Sequence, residues 1–370
     1  MIQQILSGIT HPTLLLDKQK AFNNIQMMIR KANKYNLAFR PHFKTHQSAK
    51  IGNWFRDLGV DEITVSSLNL AKYFVGHGWK KVIVAFPVNA RAVEEINELA
   101  KRCSLTVFIS NKDSLNKLKE SLTSQIQFFI EIDTGYNRTG ISPENTSFID
   151  ELLQIAESSN QLKFRGFYAH NGHTYHASSK AEIEEIHTKT VRIFWKLRKQ
   201  YSDKYPKLDI QIGDTPSCSL LDHFEGIDAI GPGNFVFYDL TQANIGSCNI
   251  DQVAVAMACP VVEKYEDKNQ VIIHGGGVHF SKDFIEEEDG TKVFGRVVKM
   301  QDNDWSEPIE NAYITSLSQE HGIVQIPKEL MSEIKVGDLI FVLPVHSCLT
   351  ANLYQHYFCL DGECIERFSS

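Results

Sequence analysis

The chain has 370 residues, of which 42% are hydrophobic and 22% charged, and it carries a net charge of −7. That length exceeds one average domain and favours two domains, or a large barrel with an appendage. The negative balance, without any basic block, excludes a nucleic-acid surface and implies good solubility.

In chain order, MIQQILSGITHPT has neither a basic leader nor a long apolar core, so no signal peptide is expected. Seven scattered cysteines without a CxxC pair fit reduced thiols and hence a cytoplasmic protein. A short strand TLLLD (13–17) precedes an amphipathic helix over 18–35. Eight β-rich runs follow: LAFRPHF, EITVSS, KVIVAF, LTVFIS, IQFFIEID, KFRGFYAH, LDIQIG and GIDAIG, with helical patterns between most of them. Strands alternating with helices imply a parallel sheet, and runs apolar nearly throughout imply that both its faces are covered. The count of eight favours a closed (β/α)8 barrel over an open doubly wound sheet. From about residue 246 the runs become short and alternating, with hardly a helix, as in an all-β domain. The longest apolar run, VAVAMACPVV (253–262), is too short to span a bilayer and reads as a buried strand pair. The expected organisation is a barrel over 11–245 and a β-sandwich or barrel-like domain over 246–370. Residues 1–10 and the TLLLD strand are candidates to join the second domain.

Barrels carry their active sites at the carboxyl ends of the strands. There the first barrel strand ends in RPHFKTH, and an extended chain would turn His42, Lys44 and His46 to one face. One reading is a lysine whose stem packs on the rim with its amine in water. The other is a partly desolvated amine serving as base or Schiff-base nucleophile. The seventh strand ends in GDTPS, where Thr215 suits an N-cap and Pro216 the first helical position, leaving amides that attract phosphate. The eighth ends in GPGNFVFYD, where Gly231, Gly233 and Asn234 allow a backbone to approach an anion closely. In a closed ring the first and last strands are neighbours, so a lysine beside a phosphate site suits pyridoxal 5'-phosphate.

Further polar groups lie along the same rim. Arg138, in EIDTGYNRTG, suits either a cofactor oxygen or substrate carboxylate, or a structural ion pair. FYAHNGHTY offers Tyr168, His170, His173 and Tyr175. In the second domain His346 and Cys348 stand two apart in PVHSC, so on an extended segment they face one side as a zinc-type pair. VIIHGGGVHF lacks a GxSxG partner and reads as a turn.

Taken in order, RPHFKTH, DTGYNRTG, GFYAHNGHTY, GDTPS, GPGNFVFYD and PVHSC resemble the D-serine dehydratase and D-threonine aldolase family. These are pyridoxal-phosphate enzymes of the alanine-racemase type, a barrel plus a β domain, and the likeness runs from about residue 10 to 360. The resemblance implies that Lys44 is the Schiff-base lysine. It also implies that Tyr168, Tyr175, Thr215, Gly233 and Asn234 contact the cofactor, with Arg138 and His170 as further cofactor-side groups. His346 and Cys348 become ligands of a catalytic Zn2+, and this HxC form resembles the zinc-dependent dehydratases. The implied reaction is elimination from D-serine, or a related D-3-hydroxy amino acid, to pyruvate and ammonia in a homodimer. Three rivals stand beside it: a D-threonine aldolase, a non-catalytic pyridoxal-phosphate carrier, and a barrel metallohydrolase with His42 and His46 as ligands.

Overall fold

The structure is a computed structural model and describes residues 6–301 and 304–369. It divides into two compact units, one spanning Met27–Gly233 and the other Asn234–Ser369 with the N-terminal stretch through Gln26. The division therefore falls at 26/27 and 233/234, against 10/11 and 245/246 read from the sequence. Residues 1–5 of the expected extension lie outside the described residues.

Nine strands come first: β1 (Thr13–Leu16), β2 (Ala38–Phe39), β3 (Glu62–Val65), β4 (Lys81–Pro87), β5 (Ser104–Ile109), β6 (Ile126–Glu131), β7 (Leu162–Ala169), β8 (Asp209–Ile212) and β9 (Ala229–Ile230). The eight from β2 to β9 form one sheet, ordered β2-β9-β8-β7-β6-β5-β4-β3, with every described pairing parallel. The ring closes between β2 and β3 through single bonds. Phe43 N–H donates to the Thr64 carbonyl at 2.8 Å, and Thr64 N–H donates to the Pro41 carbonyl at 2.9 Å. This is the expected (β/α)8 barrel. Its strands are apolar on both faces because helices cover the outside and side chains fill the inside. Ile83, Phe108, Phe129 and Tyr168 form one such buried cluster. Short polar caps start the covering helices: Ser67 accepts from Leu70 N–H, Asn111 from Ser114 N–H, and Ser179 from Glu182 N–H.

A second interior layer is ionic. Arg165 on β7 donates to both carboxylate oxygens of Glu62 on β3, at 2.5 and 2.8 Å, and to Asp209 on β8 at 3.0 Å. Arg40, just past β2, reaches Glu62 at 2.7 Å and Asp209 at 2.6 Å. Because β3 and β7 lie on opposite sides of the ring, these bonds can only cross its interior. Glu62 and Asp209 are the first residues of their strands. The charges therefore plug the amino end of the barrel and leave its carboxyl end for chemistry.

The second unit is a nine-stranded sheet that includes β1, paired antiparallel with Val255–Tyr265. Six of its strands close on themselves: Val255–Tyr265, Gln270–His274, His321–Gln325, Tyr313–Leu317, Gly295–Val298, Leu339–Pro344, and back to Val255–Tyr265. Of the run read as a strand pair, residues 255–262 lie in one eleven-residue strand. Pro260 is accommodated within it, and a register shift between Val261 and Glu263 supplies the bend that a turn would otherwise provide. No described helix is long and apolar enough to cross a membrane, and none of the seven cysteines is in a disulfide.

Candidate active site

Strand β2 stops at Phe39, and residues 43–46 form a turn ending at Gln47 with φ of 44°. The expected alternation of His42, Lys44 and His46 is therefore broken, because a turn has no period of two. The His46 ring packs on Phe43 and Phe55, with centroids 4.4 and 5.7 Å away, and its Nδ1 accepts the Ser48 N–H at 3.1 Å. That environment suits a core residue rather than a metal ligand. His42 instead serves the turn itself, its Nδ1 accepting the Lys44 N–H at 3.2 Å. Lys44 is half-buried at the carboxyl end of the first barrel strand.

The region around Lys44 is electropositive. Burial, then the neighbouring Lys44 charge, drives both His42 and His170 well below the ordinary imidazole range; Arg138 pushes the same way. Both rings are thus neutral at neutral pH. Arg138 is exposed, with its guanidinium 5.0 Å from the Tyr136 ring, and it forms no ion pair among the described residues. A site of this polarity favours an anion.

Tyr168 and Tyr175 both approach the loop after β8. Tyr168 is buried, and burial followed by the Glu131 and Asp214 charges pushes its phenol far up, so it stays protonated. A Cβ at Gly213 would stand 2.1 Å from Tyr168 Oη. We expect Gly213→Ala to lower the unfolding free energy by about 1–3 kcal/mol through overpacking. In urea titrations Tyr168→Phe should restore much of that loss. Tyr175 Oη accepts the Thr215 N–H at 3.1 Å.

The helix Thr215–Leu220 begins one residue earlier than expected. Asp214, not Thr215, is its N-cap, because its carboxylate accepts the Ser217 N–H at 2.9 Å and the Thr174 hydroxyl at 3.1 Å. That frees the Thr215 hydroxyl from capping. Thr215 Oγ1 is buried without a hydrogen-bond partner among the described residues, as a hydroxyl awaiting a phosphate would be, with the Ser217 side chain beside it against Asp214. Gly233 lies where a Cβ would meet the His42 carbonyl at 2.9 Å. Its smallness thus brings the loop after β9 against the Lys44 turn.

Asn234 behaves differently from its expected cofactor-side grouping. Its Nδ2 donates to Asp239 Oδ2 at 2.6 Å, to Ser347 Oγ at 3.2 Å and to Cys348 Sγ at 3.5 Å. The side chain therefore belongs with the HxC segment. His346 and Cys348 do come together, though not on an extended strand. His346 is the extended N-cap of the helix Ser347–Asn352, and Cys348 lies in its first turn. His346 Nδ1 is hydrogen-bonded to Asp283 Oδ2 at 2.7 Å, which holds a proton on Nδ1, while the ring's other hydrogen bond goes to Cys348; a metal taken there would replace the Nε2 proton. Burial opposes a charge on His346, but Asp283 and the Cys348 sulfur outweigh it and raise the imidazole to about 11. A ring and a thiol that already attract one another form a donor set suited to zinc.

Asp283 and Asp239 escaped sequence reasoning. SKDF carries no spacing signal for the first, whereas the second closes the GPGNFVFYD motif and could have been noted as its one acid. Another cluster, His274, His279 and Glu320, brings three potential ligands within 4.8 Å. However, His279 Nδ1 accepts the Gly276 N–H at 3.1 Å, so its proton sits on Nε2, the atom that faces Glu320. The ring therefore donates there rather than ligating. A separate cavity of about 430 Å³, lined in part by Ser66, Ser67, Phe86, Pro87 and Asn89, contains none of the candidate residues.

Comparison with known proteins adds the following. Residues 16–238 match the family described as Alanine racemase, N-terminal domain, and residues 254–360 that described as Putative serine dehydratase domain. D-serine dehydratase of Dictyostelium discoideum is 27% identical, covering 97% of this chain and 95% of its own. D-threo-3-hydroxyaspartate dehydratase of Delftia sp. (strain HT23) is 24% identical, covering 98% and 97%. A solved mutant of a D-threo-3-hydroxyaspartate dehydratase, in the metal-free form, matches with a TM-score of 0.90 at 21% identity over 99% of both chains. That last likeness is one of fold.

Proposed function

This chain belongs to the D-serine dehydratase and D-threonine aldolase family of alanine-racemase-type pyridoxal-phosphate enzymes and is a lyase, and from that premise we propose a β-elimination. Its substrate is D-serine or a related D-3-hydroxy amino acid, D-serine giving pyruvate and ammonia, with one pyridoxal 5'-phosphate and one Zn2+ per site. The observation that carries this reading is the His346–Cys348 pair, with Nδ1 of the imidazole engaged by Asp283 and the ring hydrogen-bonded to the Cys348 sulfur. A thiolate in the pair favours zinc over harder ions, and a relative of the same fold has been solved in a form called metal-free.

When bound, the pyridoxal phosphate supplies a sink for the negative charge at Cα, and the zinc supplies Lewis acidity toward the β-hydroxyl. The chain's own residues do the rest. Lys44 would hold the cofactor aldehyde through Nζ, and the same amine is the base placed to take the α-proton. His42 and His170, uncharged through burial, add no second cation beside that amine. The Thr215 and Ser217 hydroxyls bind the phosphate, while Tyr168, Tyr175, Gly233 and His170 bound the cofactor. Asn234, grouped with that cradle from the sequence, contributes at most its backbone there. Arg138 offers its charge to a cofactor oxygen or the substrate carboxylate. The enzyme acts as a cytoplasmic homodimer, which light scattering checks as twice the 42.0 kDa of one chain.

Turnover decides the reaction. Purified protein with added pyridoxal phosphate should release pyruvate and ammonia from D-serine, lose that activity to a chelator, and regain it with zinc. Glycine formed from D-threonine, without pyruvate from D-serine, would establish an aldolase instead. Turnover indifferent to chelation would remove the metal from the reaction.

A further inference from the structure

The residues behind the HxC pair are organised around one buried carboxylate. Asp239 is fully buried. Its Oδ2 accepts from Asn234 Nδ2 at 2.6 Å and from the Ser347 N–H at 2.9 Å, and its Oδ1 accepts from the Gln242 N–H at 3.0 Å. Ser347 is the residue between the two ligands, so the carboxylate grips the backbone that sets their separation. Asn234, 3% exposed, is oriented by the same contact, because an ionised carboxylate can only accept. The amide must turn its NH2 end toward Asp239, and the second hydrogen of that group is shared between Ser347 Oγ at 3.2 Å and the Cys348 sulfur at 3.5 Å.

Resting on the metal reading above, we propose that Asn234 and Asp239 are positioning residues for the zinc: the Asn234 amide donates a hydrogen bond to the Cys348 thiolate, and Asp239 locks it in that orientation. The arrangement has an electrostatic logic. Desolvation and a buried neighbouring carboxylate would both disfavour a thiolate. An N–H aimed at sulfur fixes the direction of that ligand and offsets negative charge on a metal-bound sulfur. The Asp239 carboxylate, tied to the Ser347 N–H between the two ligands, joins the sulfur in balancing a divalent ion. On this view Asn234 tunes the sulfur, whereas Asp283 orients the imidazole.

Metal binding tests this apart from turnover. Chelator-stripped protein is titrated with Zn2+ against a chromophoric competitor, and with Co2+ while the sulfur-to-cobalt charge-transfer band is recorded. Asn234→Ala is expected to weaken zinc by about 10- to 100-fold, as loss of an outer-sphere partner does. It should also move the cobalt band to longer wavelength, since a thiolate without its donor gives up charge more readily. Asp239→Asn, which keeps an acceptor for the Ser347 N–H while losing the charge, should shift the band the same way with a smaller loss of affinity. This variant carries the test if Asn234→Ala does not fold. Unchanged zinc affinity and an unmoved band in the folded variants would overturn the proposal while leaving the metal reading intact. A parent protein with no sulfur–cobalt band would overturn both.

Discussion

Lys44→Ala is expected to lose the visible absorbance of lysine-bound cofactor and to lower dehydration of D-serine by about 10²- to 10⁴-fold or more, the usual worth of a positioned general base. The proposed mechanism puts two functions on this amine, covalent attachment and proton removal, so Lys44→Arg should fail as Ala does despite keeping the charge. Zinc content should not change, because the donors proposed for it are His346 and Cys348. Borohydride reduction of the parent followed by peptide mapping should locate the cofactor on the peptide containing Lys44 and nowhere else. A variant that keeps both the absorbance and the turnover would show that another lysine carries the cofactor.

The second large effect concerns stability. Arg165→Met leaves Glu62 and Asp209 sharing the single cation Arg40 inside the barrel, where all four side chains are only 9–14% exposed. Leaving a buried charge uncompensated typically costs about 3–5 kcal/mol, so the urea midpoint of the barrel should fall sharply. The double substitution Arg165→Met with Glu62→Gln retains the balanced Arg40–Asp209 pair. It should therefore be more stable than Arg165→Met alone, a coupling that a double-mutant cycle measures directly. Equal destabilisation in both would mean that the plug acts through shape rather than charge.

These two predictions draw on different depths of the sequence. The barrel was legible because its signal is local: eight apolar runs spaced by capped helices admit few topologies. The charge plug was not, since Arg40, Glu62, Arg165 and Asp209 are scattered over 170 positions and meet only when the ring closes. The Lys44 segment lies between these cases. Its position after the first barrel strand was readable, but the histidine alternation was not, because the turn at 43–46 is fixed by closure onto Thr64 and by an aromatic bed for His46. For the HxC pair, a spacing of two brought the donors together along a route that spacing could not reveal. A helix start at His346 did the work assigned to an extended strand.

By itself, then, the sequence determined the period of each element, the caps that start the helices, and which side chains are chemically able to hold an aldehyde or a metal. These follow from covalent structure and near neighbours. Tertiary structure alone decided which of those side chains meet. It turned Asn234 from the cofactor loop toward Cys348 and supplied Asp283 to His346 from 63 residues away. It also made Asp214 rather than Thr215 the cap, releasing a hydroxyl. The reason is that a hydrogen bond in a buried site depends on direction and distance through space, and neither is encoded by separation along the chain once that separation exceeds a few turns.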